Sequence, residues 1–200
     1  MKSRLPHKGK WLFTRKEQGM GKNSKRIREL CAIALTAALL CVSALVYIPL
    51  AVPITLQTLV LFLSLFTLGG RNTSIATTVY ISIGAVGLPV FSGFSGGISR
   101  LFDPTGGYII GMLLASLAYW IFEEIFPKNK ATEIIKPTIS MLIIYIFGTL
   151  WFTFMHTNGE NSLIFIVMTC VIPFVIPDAI KIIFARILSS KITAAIKNKV

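Results

Sequence analysis

Apolar residues in this chain come in long runs separated by short breaks rich in polar residues, proline and glycine. Residues 30–48 form the first run, about 19 residues and enough for a helix to cross a ~30 Å hydrocarbon core. Pro49 and Pro53 end it, and the uncharged connection 49–53 suits a non-cytoplasmic turn. Residues 55–70 form a second, shorter run that opens on the polar Thr55, Gln57 and Thr58. Gly69-Gly70-Arg71-Asn72 reads as a tight turn, and residues 73–88 form a third run closed by Pro89. Pro104-Thr105-Gly106-Gly107 reads as a turn into the fourth run, 106–122, and a polar connection, 123–136, precedes the fifth, 138–155. The last apolar stretch, 162–188, is too long for one ordinary span and is interrupted by Pro173 and Pro177. It predicts a short outer helix over 162–172, then a sixth span opened by one of those prolines, where the first helical turn tolerates proline. The expected fold is an all-α membrane protein, six transmembrane helices in one bundle.

The interval 84–111 stands apart from these runs. It holds eight glycines and two prolines, and Arg100 and Asp103 are the only charges between Arg71 and Glu123. Irregular backbone at membrane depth is tolerated only where protein covers it or a watery cavity bathes it. The interval is therefore expected to be an ordered lid or a pocket wall, with a plain surface loop as the bland alternative.

Composition sharpens the class. Of 200 residues, 54% are hydrophobic and 14% charged, with a mean hydropathy of +0.74; soluble domains carry roughly 25% charged residues. The net charge of +12 invites a nucleic-acid partner, but its distribution argues against one. Ten of the twenty Lys and Arg precede Glu29, and most others flank apolar runs. Eighteen of the twenty fall on one side of a six-span arrangement, which puts both termini in the cytoplasm. Arg100 is alone on the other side, and Lys181 lies within the sixth helix. Residues 1–28 read as a basic tail, disordered or lying on anionic headgroups, followed by one membrane domain over 29–200. The tail does not read as a signal peptide, because no short apolar core with a small-residue cleavage site follows it. Met20 is an alternative start of translation. Cys31, Cys41 and Cys170 are scattered in apolar runs and match neither metal spacing nor a disulfide framework.

Asp178 and Lys181 are the sharpest chemical feature. Three residues apart on a helix, they share a face. Ionisable groups within a span are costly and face a cavity or each other. They read either as a mutual salt bridge or as a ligand-binding pair, Asp178 accepting N–H bonds and Lys181 donating to a carbonyl or carboxylate. Gln57 reads equally as a ligand contact or a helix cap. Arg100 reads as a partner for an anionic tail, an interfacial anchor or a partner for Asp103. Tyr80, Tyr108, Phe91 and Phe94 offer an apolar wall of the kind that lines small-molecule sites, or an aromatic belt. Ala34 and Ala38, four apart, make a flat face for close helix approach. No P-loop, His-Glu-x-x-His or Gly-x-Ser-x-Gly arrangement is present, so no ATP hydrolysis, metal chemistry or acyl transfer is expected.

Several linked motifs resemble the BioY biotin transporters, the substrate-binding (S) components of energy-coupling factor (ECF) transporters. They are VPITLQTL at 52–59, GLPVF at 87–91, Gly96-Gly97, PTGGY at 104–108, Pro173-Phe174, and Pro177-Asp178 with Lys181. The resemblance covers residues 28–190. Asp103 departs from the glycine more usual in members, and 84–111 lacks an asparagine, with Phe94 in its place. The resemblance implies a multi-pass protein of the bacterial plasma membrane that captures biotin from outside. It implies a transmembrane coupling (T) protein and two ABC-type ATPases as partners, with ATP used only by those subunits and no cofactor in this chain. It carries Asp178 and Lys181 over as ligand contacts, with Gln57, Arg100 and Tyr108 as further ones. It makes the Ala34/Ala38 face the docking site for the T protein. A stand-alone proton-coupled transporter of a small vitamin-like solute, with Asp178 as proton relay, is the competing expectation.

Overall fold

The computed structural model describes residues 22–50, 52–127, 129–156 and 163–199. Its helices are α1 (Lys22–Leu45), α2 (Gln57–Leu68), α3 (Gly70–Ala85), α4 (Ser99–Phe102), α5 (Gly106–Ile125), α6 (Lys130–His156), α7 (Leu163–Cys170) and α8 (Ile172–Lys199). The described residues are not wholly helical. Two short strands, β1 (Tyr47–Ile48) and β2 (Ile54–Thr55), pair antiparallel with Tyr47 opposite Thr55. The prolines at 49 and 53, which cannot donate ladder bonds, lie outside the strands in the turn between them.

Helices outrun the apolar runs at several ends. α1 begins at Lys22, inside the segment expected as a basic tail, and residues 1–21 lie outside the described residues. The polar connection expected over 123–136 is mostly helical, breaking only between Ile125 and Lys130. Hydropathy marks the stretch that suits lipid, whereas Lys, Arg and Glu are good helix formers beyond it. The start of α6 is locally encoded. Asn129 and Thr132 cap each other, Thr132 N–H donating to Asn129 Oδ1 at 2.7 Å and Asn129 N–H to Thr132 Oγ1 at 3.0 Å.

The turn expected at 69–72 is a single residue. Gly69 has φ 85° and ψ 169°, a region open in practice only to glycine, and α3 starts at once with Gly70. The Gly70 N–H donates to Glu123 Oε2 of α5 at 2.9 Å, placing an acid at the positive end of α3. α7 and α8 meet at Val171, and Pro173 sits in the first turn of α8. Pro177 lies inside α8 instead of opening it, and removes the bond to the Pro173 carbonyl one turn earlier.

Among the described residues, four stretches are long and apolar enough to cross a membrane: Asn23–Leu45, Gly106–Ile125, Ala131–Met155 and Ile166–Ala195. α2 falls short, with 12 residues spanning about 18 Å at 1.5 Å each. α3 carries many Ser and Thr residues, and several satisfy their hydroxyls within the helix. Ser74, Thr77 and Thr78, for instance, donate to carbonyls four residues back.

Three packings position the site. α2 lies along α8, bringing Thr55, Gln57 and Thr58 toward Asp178 and Lys181. α5 lies against α6, and its glycines allow close approach. A Cβ on Gly107 would overlap Trp151 of α6, and Gly111 faces the Ile144 backbone. α3 packs on α5, closing a core that holds Leu61, Phe62, Leu65, Tyr80, Phe91 and Met112.

Candidate ligand-binding site

The carboxylate of Asp178 is the hub of the site. It lies in the second turn of α8, and Asp178 is only 3% exposed. A buried carboxylate is tolerated when its charge is matched and its lone pairs are occupied. Both conditions hold. Oδ1 accepts from Lys181 Nζ and from Thr58 Oγ1, each at 2.9 Å, and Oδ2 accepts from the Tyr145 hydroxyl at 2.8 Å.

Lys181 is equally committed. Its Nζ donates to Asp178 Oδ1, to the Thr55 carbonyl at 2.7 Å and to Thr58 Oγ1 at 3.1 Å. An ammonium has three N–H bonds, so all three are engaged by the protein. The pair makes a mutual salt bridge at 2.9 Å, and both side chains also line a cavity.

That cavity is bounded by α2 through Gln57 and Thr58, by α5 through Tyr108 and Met112, and by α6 through Met141 and Tyr145. Phe174, Asp178 and Lys181 bound it from α8. Val52, Pro53 and Thr55 close the hairpin side, and Ser92 and Thr105 bring in the glycine-rich interval. Its free volume is about 70 Å³. That holds a few waters and is well below the ~300–1,000 Å³ of a usual small-molecule site.

Gln57 is 6% exposed and joined to its neighbours on both ends of its amide. Nε2 donates to the Tyr80 hydroxyl at 2.7 Å, and Oε1 accepts from Thr55 Oγ1 at 3.2 Å. Its backbone N–H meets Thr55 Oγ1 at 3.3 Å, so the cap at the start of α2 comes from Thr55. Tyr108 lies against Gly148, where a Cβ would collide with its ring, and its hydroxyl is within 3.4 Å of Thr149 Oγ1 and the Cys170 carbonyl.

Three predicted contacts lie off the cavity lining. Phe91, within the glycine-rich interval, is buried, edge-on to Tyr80 with ring centroids 5.6 Å apart and its ring against Gly84. Glycine at 84 is what leaves room for that ring. Phe91 and Ser95 exchange backbone bonds at 2.9 and 3.3 Å, so residues 92–94 form a tight hairpin. Phe94 sits at its tip with φ 54° and is 65% exposed. Arg100, on α4, pairs with Asp103 at 2.8 Å and is exposed. Ala34 and Ala38 lie on the exposed face of α1 with Leu35, Leu39 and Val42.

The sequence reading missed Tyr145, Met112 and Met141. Each sits in an apolar run with nothing nearby to distinguish it from core. For Tyr145 the one signal is a hydroxyl in the middle of a long lipid-suited helix, a group that wants a partner when buried.

With this geometry in place, the comparisons are decisive about kinship. The chain matches the BioY family over residues 15–198. It belongs to the BioY family. It is 32% identical over 167 residues to the biotin transporter BioY of Thermotoga maritima, covering 83% of this chain and 96% of that one. It is 33% identical over 175 residues to the biotin transporter BioY2 of Lactococcus lactis, covering 86% and 94%. A probable biotin transporter BioY of Lysinibacillus sphaericus is 44% identical over 118 residues, 58% of this chain and 60% of that one. Among solved structures, the S-component for biotin from an ECF-type ABC transporter superposes with a TM-score of 0.74 at 23% identity. It covers 87% of this chain and 94% of that one, so this BioY-family chain has the S-component fold. Apolar helices and transporter relatives together make it a multi-pass membrane protein.

Proposed function

We propose that this chain is the biotin-binding S component of an ECF-type ABC transporter in the bacterial plasma membrane. It spans the bilayer six times with both termini in the cytoplasm, α2 and α3 being the two short crossings. It catalyses no reaction and holds no cofactor. A T protein and two ABC ATPases supply the coupling and hydrolyse the ATP.

The observation that carries this reading is a BioY-family chain in which a buried, internally neutralised Asp178–Lys181 pair lines a cavity under the glycine-rich interval. Biotin is an amphipathic guest of matching chemistry. Its cyclic urea offers N–H donors to Asp178, and its bicycle and sulfur rest on Tyr108, Met112, Met141 and Phe174. Lys181 neutralises Asp178 and ties it to α2, so the charge is tolerated in a dry site. The carboxylate tail takes a cation, for which Arg100 is the candidate because the three N–H bonds of Lys181 are engaged. Arg100 has donors to spare, since only Nη1 is engaged, on Asp103.

The free volume of the cavity is smaller than a bicyclic ligand needs. A bicyclic ligand enters by parting its walls, and the interval contributing Ser92 and Thr105 is the wall with the least helical support. Closure over the ligand then excludes water and strengthens each polar contact.

Calorimetric titration of the detergent-purified protein tests the proposal. Biotin binds, whereas thiamine and riboflavin give no saturable heat. Equal binding of all three, or of none, overturns it.

A further inference from the structure

A bound urea also has a carbonyl oxygen that needs a donor, and the hydrogen bonds around Asp178 leave one available. Three side chains donate to the carboxylate, and two of them are tied down. Lys181 has spent its three N–H bonds on Thr55, Thr58 and Asp178. Thr58 gives its single O–H to Oδ1. Gln57 lines the same cavity and keeps one amide N–H, but its bonds run to Tyr80 and Thr55 and not to Asp178. Tyr145 differs. Its hydroxyl rotates freely about one bond, and its acceptor is Oδ2, the carboxylate oxygen to which no other described donor bonds.

Oδ2 and the Tyr145 hydroxyl oxygen are 2.8 Å apart, and both residues line the cavity. They form a side-by-side acceptor and donor. A cyclic urea presents the complement on one edge, an N–H beside a carbonyl oxygen.

We infer that Tyr145 is the specificity residue that reads the urea carbonyl, using a hydroxyl proton released from Asp178. In the free protein this O–H satisfies Oδ2. When a urea N–H takes that lone pair, the hydroxyl turns to the neighbouring carbonyl oxygen. One protein–protein bond is exchanged for two protein–ligand bonds, and no proton leaves its oxygen. The inference rests on biotin being the ligand of this site.

The test is a cycle between Tyr145→Phe and a biotin whose urea oxygen is replaced by sulfur, a weak acceptor. Titrations use the full-length protein in detergent, with thermal melts to show that both proteins are folded. Tyr145→Phe lowers affinity for biotin about tenfold, the size of one hydrogen bond, and changes affinity for the thio analogue less than twofold. Unchanged biotin affinity in Tyr145→Phe overturns the inference. Equal losses for both ligands also overturn it, since they mean that Tyr145 only props Asp178. In either case wild-type binding of biotin leaves the broader proposal standing. A wild-type protein that does not bind biotin removes both.

Discussion

At the scale of single residues, the site is an exercise in keeping one charge where water is scarce. Asp178 has donors on both oxygens, and its countercharge sits one helical turn away. Removing the cation alone leaves a buried, uncompensated carboxylate, a loss of about 3–5 kcal/mol. Lys181→Ala should therefore reduce biotin affinity by at least 100-fold in calorimetric titration and lower the melting temperature as well. Combining it with Asp178→Asn should restore much of the melting temperature, because the unpaired charge is gone, while binding stays lost. Wild-type affinity in Lys181→Ala would remove this residue from the site. Asp178 and Lys181 were legible in the sequence because two charges inside a lipid-suited run are conspicuous. Tyr145 was not, because a tyrosine among isoleucines looks the same whether it meets a carboxylate or packs in a core.

At the scale of elements, small residues decide how closely the helices come. Gly107 and Gly111 stand four apart on α5 and face α6, the helix that carries Tyr145. They are not equivalent. A methyl at Gly107 would land inside the Trp151 side chain, whereas one at Gly111 would lie 3.3 Å from Ile144 Cα, tight but close to ordinary contact. Gly107→Ala should thus cost about 1–3 kcal/mol of overpacking, and Gly111→Ala clearly less. Melting temperatures of the two variants check the order, and the reverse order would show that α5 and α6 pack otherwise. The glycine-rich interval follows the same logic. Its role as a wall was legible from its composition, but its anchor was not. Phe91, expected to touch ligand, instead plugs the space that Gly84 leaves open, and Ser92 and Thr105 supply the wall.

At the scale of the whole molecule, one exposed apolar face lies along α1. Ala34 and Ala38 are exposed there, flanked by Leu35, Leu39 and Val42. If this face docks the T protein, Ala34→Leu with Ala38→Leu should abolish co-purification of the coupling subunits. Biotin affinity of the isolated chain should change less than twofold. Loss of both together would mean that α1 acts through the fold instead of the interface. The exposed Glu133–Arg186 pair, 2.5 Å apart, joins α6 to α8. Being open to solvent, it contributes at most about 1 kcal/mol.

The runs of apolar residues, the proline and glycine breaks and the placement of lysines were enough to mark where most helices lie and that they belong in lipid. These are local properties, because a helix closes its own hydrogen bonds and a bilayer screens by hydropathy alone. The same properties misjudged helix ends at Lys22 and Ile125, where charged residues continue a helix beyond the lipid-suited stretch. Which side chains meet was a different matter. Thr58 and Asp178 are 120 residues apart, Tyr145 and Asp178 are 33, and no periodicity in either helix names the other. Only the packing of α2 on α8, with Tyr145 reaching across from α6, brings their donors onto one carboxylate. Such a contact depends on relative position across the bundle, a quantity that a linear pattern does not contain.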